Sequence, residues 1–217
     1  LPFLAVLGFL VAHDGVYQLT EAGRQYMLKQ SPFFWGGVFT RVGHTLLPHK
    51  LLLETINNER ANAEKNRPAD GWESGHVDME MAKTVTAFMH SHSMAAAIGM
   101  TRTCDFSARQ RILDVGGGSG CFAIALAQHS ESMSCTVMEL ATICQLAREY
   151  IAAGGVSDRV DTITVDMFRQ QWPAGYDGHF FSNIFHDWSP ETCLDLARSS
   201  LAALEPGGEI ILHEMLL

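Results

Sequence analysis

The chain has 217 residues, of which 47% are hydrophobic, and its formal net charge at pH 7 is −9. This much apolar sequence can bury a sizeable core, so we expect a globular protein of one or two domains. Lys and Arg number 8 against 9 acidic residues over 1–100, and 7 against 15 over 101–217. Neither half carries the basic surplus that phosphate binding demands, so the composition argues against a nucleic-acid partner.

The cysteines and the apolar N-terminus indicate where the protein resides. The five cysteines are odd in number and show no C-x-x-C spacing, which is typical of reduced thiols in a reducing compartment. Residues 1–11 are apolar, but they are too few to span a bilayer and lack the basic flank and cleavage site of a signal peptide. We therefore expect a cytoplasmic protein with no membrane partner.

The N-terminal third predicts a small, mainly helical region. A helix over 4–10, followed by a hairpin and a capped helix over 12–23, matches the last helix and the wing of a winged-helix domain whose beginning is missing. The segment 57–75 is rich in Asn, Glu, Lys and Pro, which favours a linker. We therefore expect a partial winged-helix region over 1–78 and a second domain over 79–217.

The most informative motif is a glycine-rich turn directly after an apolar strand at 112–115. Glycines at alternate positions from Gly116 let the backbone take φ values closed to other residues and approach a ligand closely. A dinucleotide fingerprint would need a glycine where Cys121 stands, and Asp114 would repel an incoming phosphate. A cationic ligand suits Asp114 better, which points to S-adenosylmethionine, with its positive ammonium and sulfonium groups.

Four later strands are predicted, and each of them ends at a polar residue. They are 135–138 before Glu139, 160–165 before Asp166, 180–185 before His186, and 209–213 before Glu214. In open α/β sheets ligands bind outside the carboxyl ends of the strands, so we expect these side chains to share one site. Glu139 can accept both ribose hydroxyls of an adenosine, and Asp166 can bond the adenine amino group. Met167 and Phe168 are then placed to flank the adenine ring.

Taken together, the motifs resemble those of the class I methyltransferases, and more narrowly the small-molecule O-methyltransferases of the caffeic-acid and acetylserotonin type. The resemblance covers most of the chain and rests on 113–120, on 166–168, and on 186–188 with Glu214 following. It implies cofactor contacts at Asp114, Gly116, Gly118, Glu139, Asp166, Met167 and Ser182. At Ser182 the chain departs from the family, which usually has a lysine there.

The same resemblance implies an α/β fold with a Rossmann-like methyltransferase sheet. The family sheet has seven strands, of which this sequence contains five and lacks the antiparallel last pair. We therefore expect a fragment that lacks both ends, with a partial winged-helix dimerisation region before an incomplete catalytic domain. In the family the N-terminal region forms a homodimer and closes the substrate pocket. The aromatic segment 31–39 suits either role, and an ordinary core segment explains it equally well.

The resemblance further implies methyl transfer to a hydroxyl of a small aromatic or secondary-metabolite acceptor. His186 is the implied general base, and Glu214 orients it; the family's second orienting acid falls beyond residue 217. Met89, His90 and Asp187 are candidate acceptor contacts, although a structural role explains His90 equally well. No metal site is expected for this reaction.

Two other functions stay open at this point. Some members of the superfamily use a His-Asp pair with a further histidine to hold a metal and enolise a 2-oxo acid for C-methylation. Here that pair would be His186 and Asp187, and a third ligand would have to come from His90, His92 or beyond residue 217. The other function is a catalytically silent regulator that binds S-adenosylmethionine, against which the intact pair of His186 and Glu214 argues.

Overall fold

The computed structural model of the protein describes residues 1–44 and 75–214. Its first elements are a short helix, a two-stranded hairpin and a second helix: α1 Pro2–Val6, β1 Leu10–His13, β2 Val16–Leu19 and α2 Glu21–Met27. Asp14 and Gly15 make the hairpin turn, and both have the positive φ that a two-residue hairpin turn requires (49° and 78°). Thr20 Oγ1 accepts the Gly23 N–H at 3.0 Å and so caps α2.

The structure confirms the hairpin and the capped helix but shortens the first helix. The predicted helix over 4–10 is wrong in its second half, because Leu10 already pairs with Leu19 in the hairpin. Gly8 ends the helical conformation with a φ of 80°, a value that glycine adopts at little cost.

Two further helices pack against each other, α3 Gly36–His44 and α4 Met79–Thr103. At Gly37 they come so close that a Cβ there would lie 2.2 Å from the Ala87 carbonyl oxygen, which only glycine avoids. The long helix α4 begins directly after Asp78, whose side chain accepts two N–H groups of the first turn.

The boundary between residues 78 and 79 stays a prediction, although α4 begins there. Apart from Gly75, the predicted linker over 57–75 lies outside the described residues. In the parts of the chain that the structure describes, no helix combines the length and the apolar character needed to cross a membrane.

The rest of the chain forms a five-stranded parallel sheet with the strand order β5-β4-β3-β6-β7. The strands are β3 Arg111–Val115, β4 Ser134–Glu139, β5 Val160–Thr164, β6 Tyr176–Ser182 and β7 Leu204–His213. The connecting helices are α5 Cys121–His129, α6 Ala141–Ala153 and α7 Pro190–Ala203. The chain starts in the centre at β3, winds outward to β5, and then crosses back to β6. This reversal creates a crevice beside β3 at the carboxyl ends of the strands, where ligands of such sheets bind.

Two of the predicted strands differ from the structure by three or more residues at one or both ends. The strand predicted over 180–185 ends at Ser182, because Asn183 takes a left-handed φ of 56° and Phe185–Asp187 forms a 3₁₀ turn. The last strand begins at Leu204 rather than at 209, because it pairs alongside β6 across an irregularity in the register. As a result, His186 lies in a turn beyond the end of its strand.

The central strand β3 is buried on both faces, as its apolar sequence predicts. Ile112 belongs to a core layer with the apolar side of α5. Leu113 and Val115 belong to a second layer on the other face, which includes Phe181. Because side chains alternate along a strand, Asp114 shares the face of Ile112 and is carried under the start of α5.

Candidate active site

A cavity of about 970 Å³ opens at the carboxyl ends of the strands. Its wall includes the predicted cofactor contacts Asp114, Gly116, Gly118, Glu139, Asp166, Met167, Phe168 and Ser182, together with His186, Met89 and Asp187. Among the residues predicted for the site, Glu214 and His90 do not line the cavity and lie behind its wall. One cavity thus brings together groups that are up to 98 residues apart in the sequence, from Met89 to Asp187.

The glycine loop, defined as residues 116–120, follows β3 and leads into α5. Gly116, Gly118 and Gly120 all have positive φ, at 65°, 58° and 74°. A Cβ at Gly116 would lie 2.6 Å from Ile184 Cδ1, whereas a Cβ at Gly118 would meet nothing within 4 Å. The loop therefore leaves an open approach to its backbone on the cavity side, where the N-terminus of α5 also points.

Asp114 lies beneath the glycine loop with only 1% of its surface exposed. Neither carboxylate oxygen has a hydrogen-bond partner among the described residues. Burial raises the pKa of Asp114 to about 7, with a smaller contribution from the Glu139 carboxylate; the Ala123 N–H opposes the shift without making a hydrogen bond of normal geometry. A buried, unpaired carboxylate at the edge of a cavity fits a cationic ligand group.

Glu139, at the end of β4, is 9% exposed and lines the same cavity. Its Oε1 accepts the Gly118 N–H at 3.2 Å, and its Oε2 accepts the Leu140 N–H at 2.8 Å. Burial raises the pKa of Glu139 to about 7, although these two N–H groups oppose the shift. The two bonds fix the carboxylate beside the loop, in a suitable orientation to accept hydroxyl donors from a ligand.

The segment after β5 presents one acid and two large apolar side chains. Asp166 Oδ1 accepts the Phe168 N–H at 2.9 Å, and Oδ2 pairs with Arg169 Nη1 at 3.0 Å. Phe168 packs edge-on against Trp188, with their ring centroids 4.6 Å apart. Together with Met167, these rings give the cavity an apolar wall that suits a flat ring.

His186 and Glu214 meet across 28 residues of sequence. His186 Nδ1 lies 2.6 Å from Glu214 Oε2, while Glu214 Oε1 accepts the N–H groups of Ile184 and Phe185 at 2.8 and 2.9 Å. Burial alone would raise the pKa of Glu214, but these N–H groups and His186 together lower it. An ionised Glu214 thus holds the Nδ1–H tautomer of His186, which leaves Nε2 as the nitrogen able to accept a proton. Asp187 Oδ1 lies 3.6 Å from that Nε2.

The Ser182 hydroxyl makes two hydrogen-bonding contacts within the protein that the sequence did not indicate. Its Oγ lies 2.9 Å from His213 Nδ1 and accepts an N–H of the Asn183 side chain at 3.2 Å. His213 in turn packs against the Phe122 ring, with centroids 4.9 Å apart. Ser182 still lines the cavity, but its hydroxyl is already hydrogen-bonded to two protein groups.

The helix α4 supplies the opposite wall through Thr86, Met89 and Ser93. His90 instead points at the glycine loop, where its Nδ1 lies 2.8 Å from Ser119 Oγ. Its role as an acceptor contact stays a prediction, and its position favours contact with the loop.

Trp188, which belongs to the motif at 186–188, lines the wall together with Thr86 and Ser93, although none of the three was predicted as a site residue. Thr86 and Ser93 lie three residues before and four residues after Met89, on the same face of the helix. This spacing could have predicted both of them. Within residues 1–44 and 75–214, no three His, Cys, Asp or Glu side chains are grouped so as to hold a metal ion.

A sequence model of the O-methyltransferase domain matches residues 50–217. The chain belongs to the O-methyltransferase family. One curated relative is the 3-hydroxy-5-methyl-1-naphthoate 3-O-methyltransferase of Streptomyces sahachiroi, which is 32% identical to this chain over 223 residues. The match covers 97% of this chain but 61% of that relative, so the chain spans about three fifths of its length. The resemblance inferred from the sequence motifs is thereby confirmed.

Solved structures of other family members share the fold. Human N-acetylserotonin methyltransferase in complex with S-adenosylmethionine matches with a TM-score of 0.81 at 18% identity, over 97% of this chain and 62% of that one. NcsB1 of neocarzinostatin biosynthesis, in complex with S-adenosylmethionine and 2-hydroxy-5-methyl naphthoic acid, matches with a TM-score of 0.70 at 25% identity. That match covers 97% of this chain and 66% of NcsB1. The parallel sheet with its helices is therefore the Rossmann-like fold of this family.

Proposed function

We propose that this protein transfers a methyl group from S-adenosylmethionine to a hydroxyl of a small aromatic acceptor, with His186 as the general base. The observation that carries the proposal is a single cavity that joins the unpaired Asp114 carboxylate to the His186–Glu214 pair. The family membership and the naphthoate-methylating relative from Streptomyces sahachiroi support the reaction class.

The residues present fit the cofactor. The orphaned carboxylate of Asp114 suits the ammonium group of its methionine part, and Glu139 suits the ribose hydroxyls. Asp166 can accept from the adenine amino group, while Met167 and Phe168 offer apolar surface to the adenine ring. When bound, S-adenosylmethionine supplies an electrophilic methyl carbon attached to a positively charged sulfur.

The chain's own residues then handle the acceptor and its proton. Trp188 and Met89 hold the acceptor ring by apolar contact and exclude water from it. As the acceptor oxygen gains the methyl group, its proton passes to Nε2 of His186. The ionised Glu214 stabilises the resulting imidazolium through Nδ1. Asp187, beside Nε2, can bind a second polar group of the acceptor.

We further propose that the protein is cytoplasmic and forms a homodimer through residues 1–78. Exposed apolar side chains on α1 support the homodimer, with Phe3 at 71% and Val6 at 84% exposure. Such a surface is typical of a region that packs against another part of its chain or another subunit. Sedimentation velocity of the purified protein tests it, and a purely monomeric boundary at micromolar concentration would contradict it.

Incubation with methyl-labelled S-adenosylmethionine tests the main proposal. The acceptor panel contains simple naphthols and 3-hydroxy-5-methyl-1-naphthoate, and mass spectrometry identifies the O-methylated product. His186→Ala should lower the rate by about 10²- to 10⁴-fold at neutral pH, with S-adenosylhomocysteine affinity unchanged within a few-fold. Glu214→Gln should give a smaller loss, because the imidazole is then present but poorly oriented.

The deficit of His186→Ala should shrink as the pH approaches the acceptor's own pKa, near 10 for a phenol, because an ionised acceptor needs no base. His129→Leu removes an exposed imidazole at the end of α5 and serves as the control, with activity expected to match the wild type. Full activity of His186→Ala at neutral pH would refute the general-base role. Binding of S-adenosylhomocysteine without transfer to any hydroxyl in the panel would count against this acceptor class.

A further inference from the structure

His90 makes a polar contact that the proposed mechanism does not use. It lies on α4, and its Nδ1 is 2.8 Å from the Oγ of Ser119, 29 residues further along the chain. Ser119 is 2% exposed and is the residue before the last glycine of the glycine loop. The contact therefore joins the partly buried His90 of α4 to the loop, at a residue that also lines the cavity.

The glycine loop needs such an anchor. Ser119 stands between Gly118 and Gly120, which both have positive φ. Glycine loses more conformational freedom on ordering than any other residue, so this segment has little stiffness of its own. Gly120 also occupies the N-cap of α5 and provides no capping side chain. Ser119 is thus the residue of this short stretch whose side chain can fix the loop.

His90 is itself held firmly enough to act as the anchor. Its ring packs on that of Tyr150 from α6, with the centroids 4.3 Å apart. Burial lowers the pKa of His90 to about 4, so the imidazole is neutral at neutral pH. A neutral imidazole can bond a hydroxyl without placing a positive charge beside the site of a cationic ligand.

The same helix contributes residues to the cavity wall, here called the acceptor wall because it includes Met89, the acceptor contact proposed above. Thr86, Met89 and Ser93 of α4 line the cavity, and His90 is the next residue after Met89. An acceptor that binds against this wall therefore restrains α4, the helix whose His90 contacts the glycine loop. Conversely, a ligand that orders the loop restrains the helix.

We propose that His90 is a positioning residue that fixes the glycine loop through Ser119 and so links the cofactor site to the acceptor wall. The cofactor's identity in this statement rests on the function proposed above. The anchoring of the loop depends only on the contacts of His90 and Ser119.

Hydrogen exchange and calorimetry on the full chain test the inference. Both His90→Leu and Ser119→Ala remove the contact, whereas His90→Asn retains a polar group where Nδ1 stood. With His90→Leu or Ser119→Ala, amide exchange over 117–120 should accelerate by about two- to tenfold, the effect of losing one hydrogen bond. Affinity for S-adenosylhomocysteine should fall by about the same factor.

Three comparisons make the test specific. The double variant should be no weaker than either single variant, because both remove the same bond. His90→Asn should recover loop protection and affinity to within about twofold of the wild type. His129→Leu, the exposed control, should change neither quantity.

Unchanged exchange over 117–120 in both single variants would overturn the inference. Faster exchange throughout the sheet in His90→Leu, with Ser119→Ala like the wild type, would also overturn it, since His90 would then be a general packing residue. If the wild type fails to bind S-adenosylhomocysteine, the proposed function falls, and the exchange data still decide whether His90 anchors the loop.

Discussion

Replacing Asp114 with asparagine should stabilise the ligand-free protein at neutral pH and at the same time weaken its binding of S-adenosylhomocysteine. The carboxylate is buried without a hydrogen-bond partner, and burial raises its pKa from 3.8 to about 7. Asparagine has nearly the same shape and cannot ionise. The substitution therefore removes the cost of the buried charge together with the group that would meet a cationic ligand.

The size of the effect follows from the two pKa values. Between them the folded protein holds a proton on Asp114 that the unfolded chain has released, so stability falls as the pH rises through this window and levels off above about 7. From about pH 4.5 to about pH 8 the loss is on the order of 3 kcal/mol. The Asp114→Asn protein should lack this loss. Its affinity for S-adenosylhomocysteine should be about 10- to 150-fold lower, corresponding to one charged hydrogen bond.

Urea unfolding across this pH range measures the stability term, and calorimetry at neutral pH measures the binding term. Asp195→Asn is the matched control, because Asp195 is exposed and pairs only at the surface with Arg198, at 3.0 Å. It should track the wild type within about 0.5 kcal/mol at each pH. The reasoning fails if the stability difference between wild type and Asp114→Asn is flat with pH, or if the variant binds the ligand as tightly as the wild type.

Two further substitutions test the cofactor half of the site. Glu139→Ala should weaken S-adenosylmethionine and S-adenosylhomocysteine alike by about 10- to 150-fold, since both carry the ribose diol; unchanged calorimetric affinity in a folded protein would remove Glu139 from the site. Gly116→Ala should destabilise the fold more than Gly118→Ala, because both have positive φ but only the Cβ at 116 would clash, 2.6 Å from Ile184 Cδ1. Left-handed strain alone costs about 1–2 kcal/mol, so equal urea midpoints would show that Ile184 yields freely.

The sequence predicted that several acidic residues would meet at one end of the sheet, for a physical reason. In a parallel sheet all strands end at the same edge, so the residues that follow apolar runs converge there whatever the loops do. Glu139 and Asp166 were predicted from this rule, Asp114 was predicted from the glycine-rich turn beside it, and all three line one cavity. Their hydrogen bonds could not be predicted from the sequence. The carboxylate oxygens of Asp114, for example, have no partner because of how α5 packs over them.

Contacts that depend on tertiary packing could not be predicted from the sequence. His90 and His92 stand two residues apart on a helix, so they face different directions, and nothing local shows which one meets the loop. The partner of Ser182 lies 31 residues away on an adjacent strand, and pairing registers of that kind are fixed by the whole sheet. The early end of β6 likewise depends on the left-handed Asn183, a conformation that asparagine permits but does not impose.

The contact between Glu214 and His186 also sets an order of assembly. The glycine loop and Glu139 belong to strands β3 and β4, near the start of the sheet, whereas Glu214 directly follows β7. During synthesis the residues of β3 and β4 therefore leave the ribosome before Glu214 does, and His186 lacks its carboxylate partner until residue 214 has been made. We expect His186, the proposed proton acceptor, to be oriented only once β7 has docked beside β6, so fraying of β7 should lower methyl transfer more than cofactor binding.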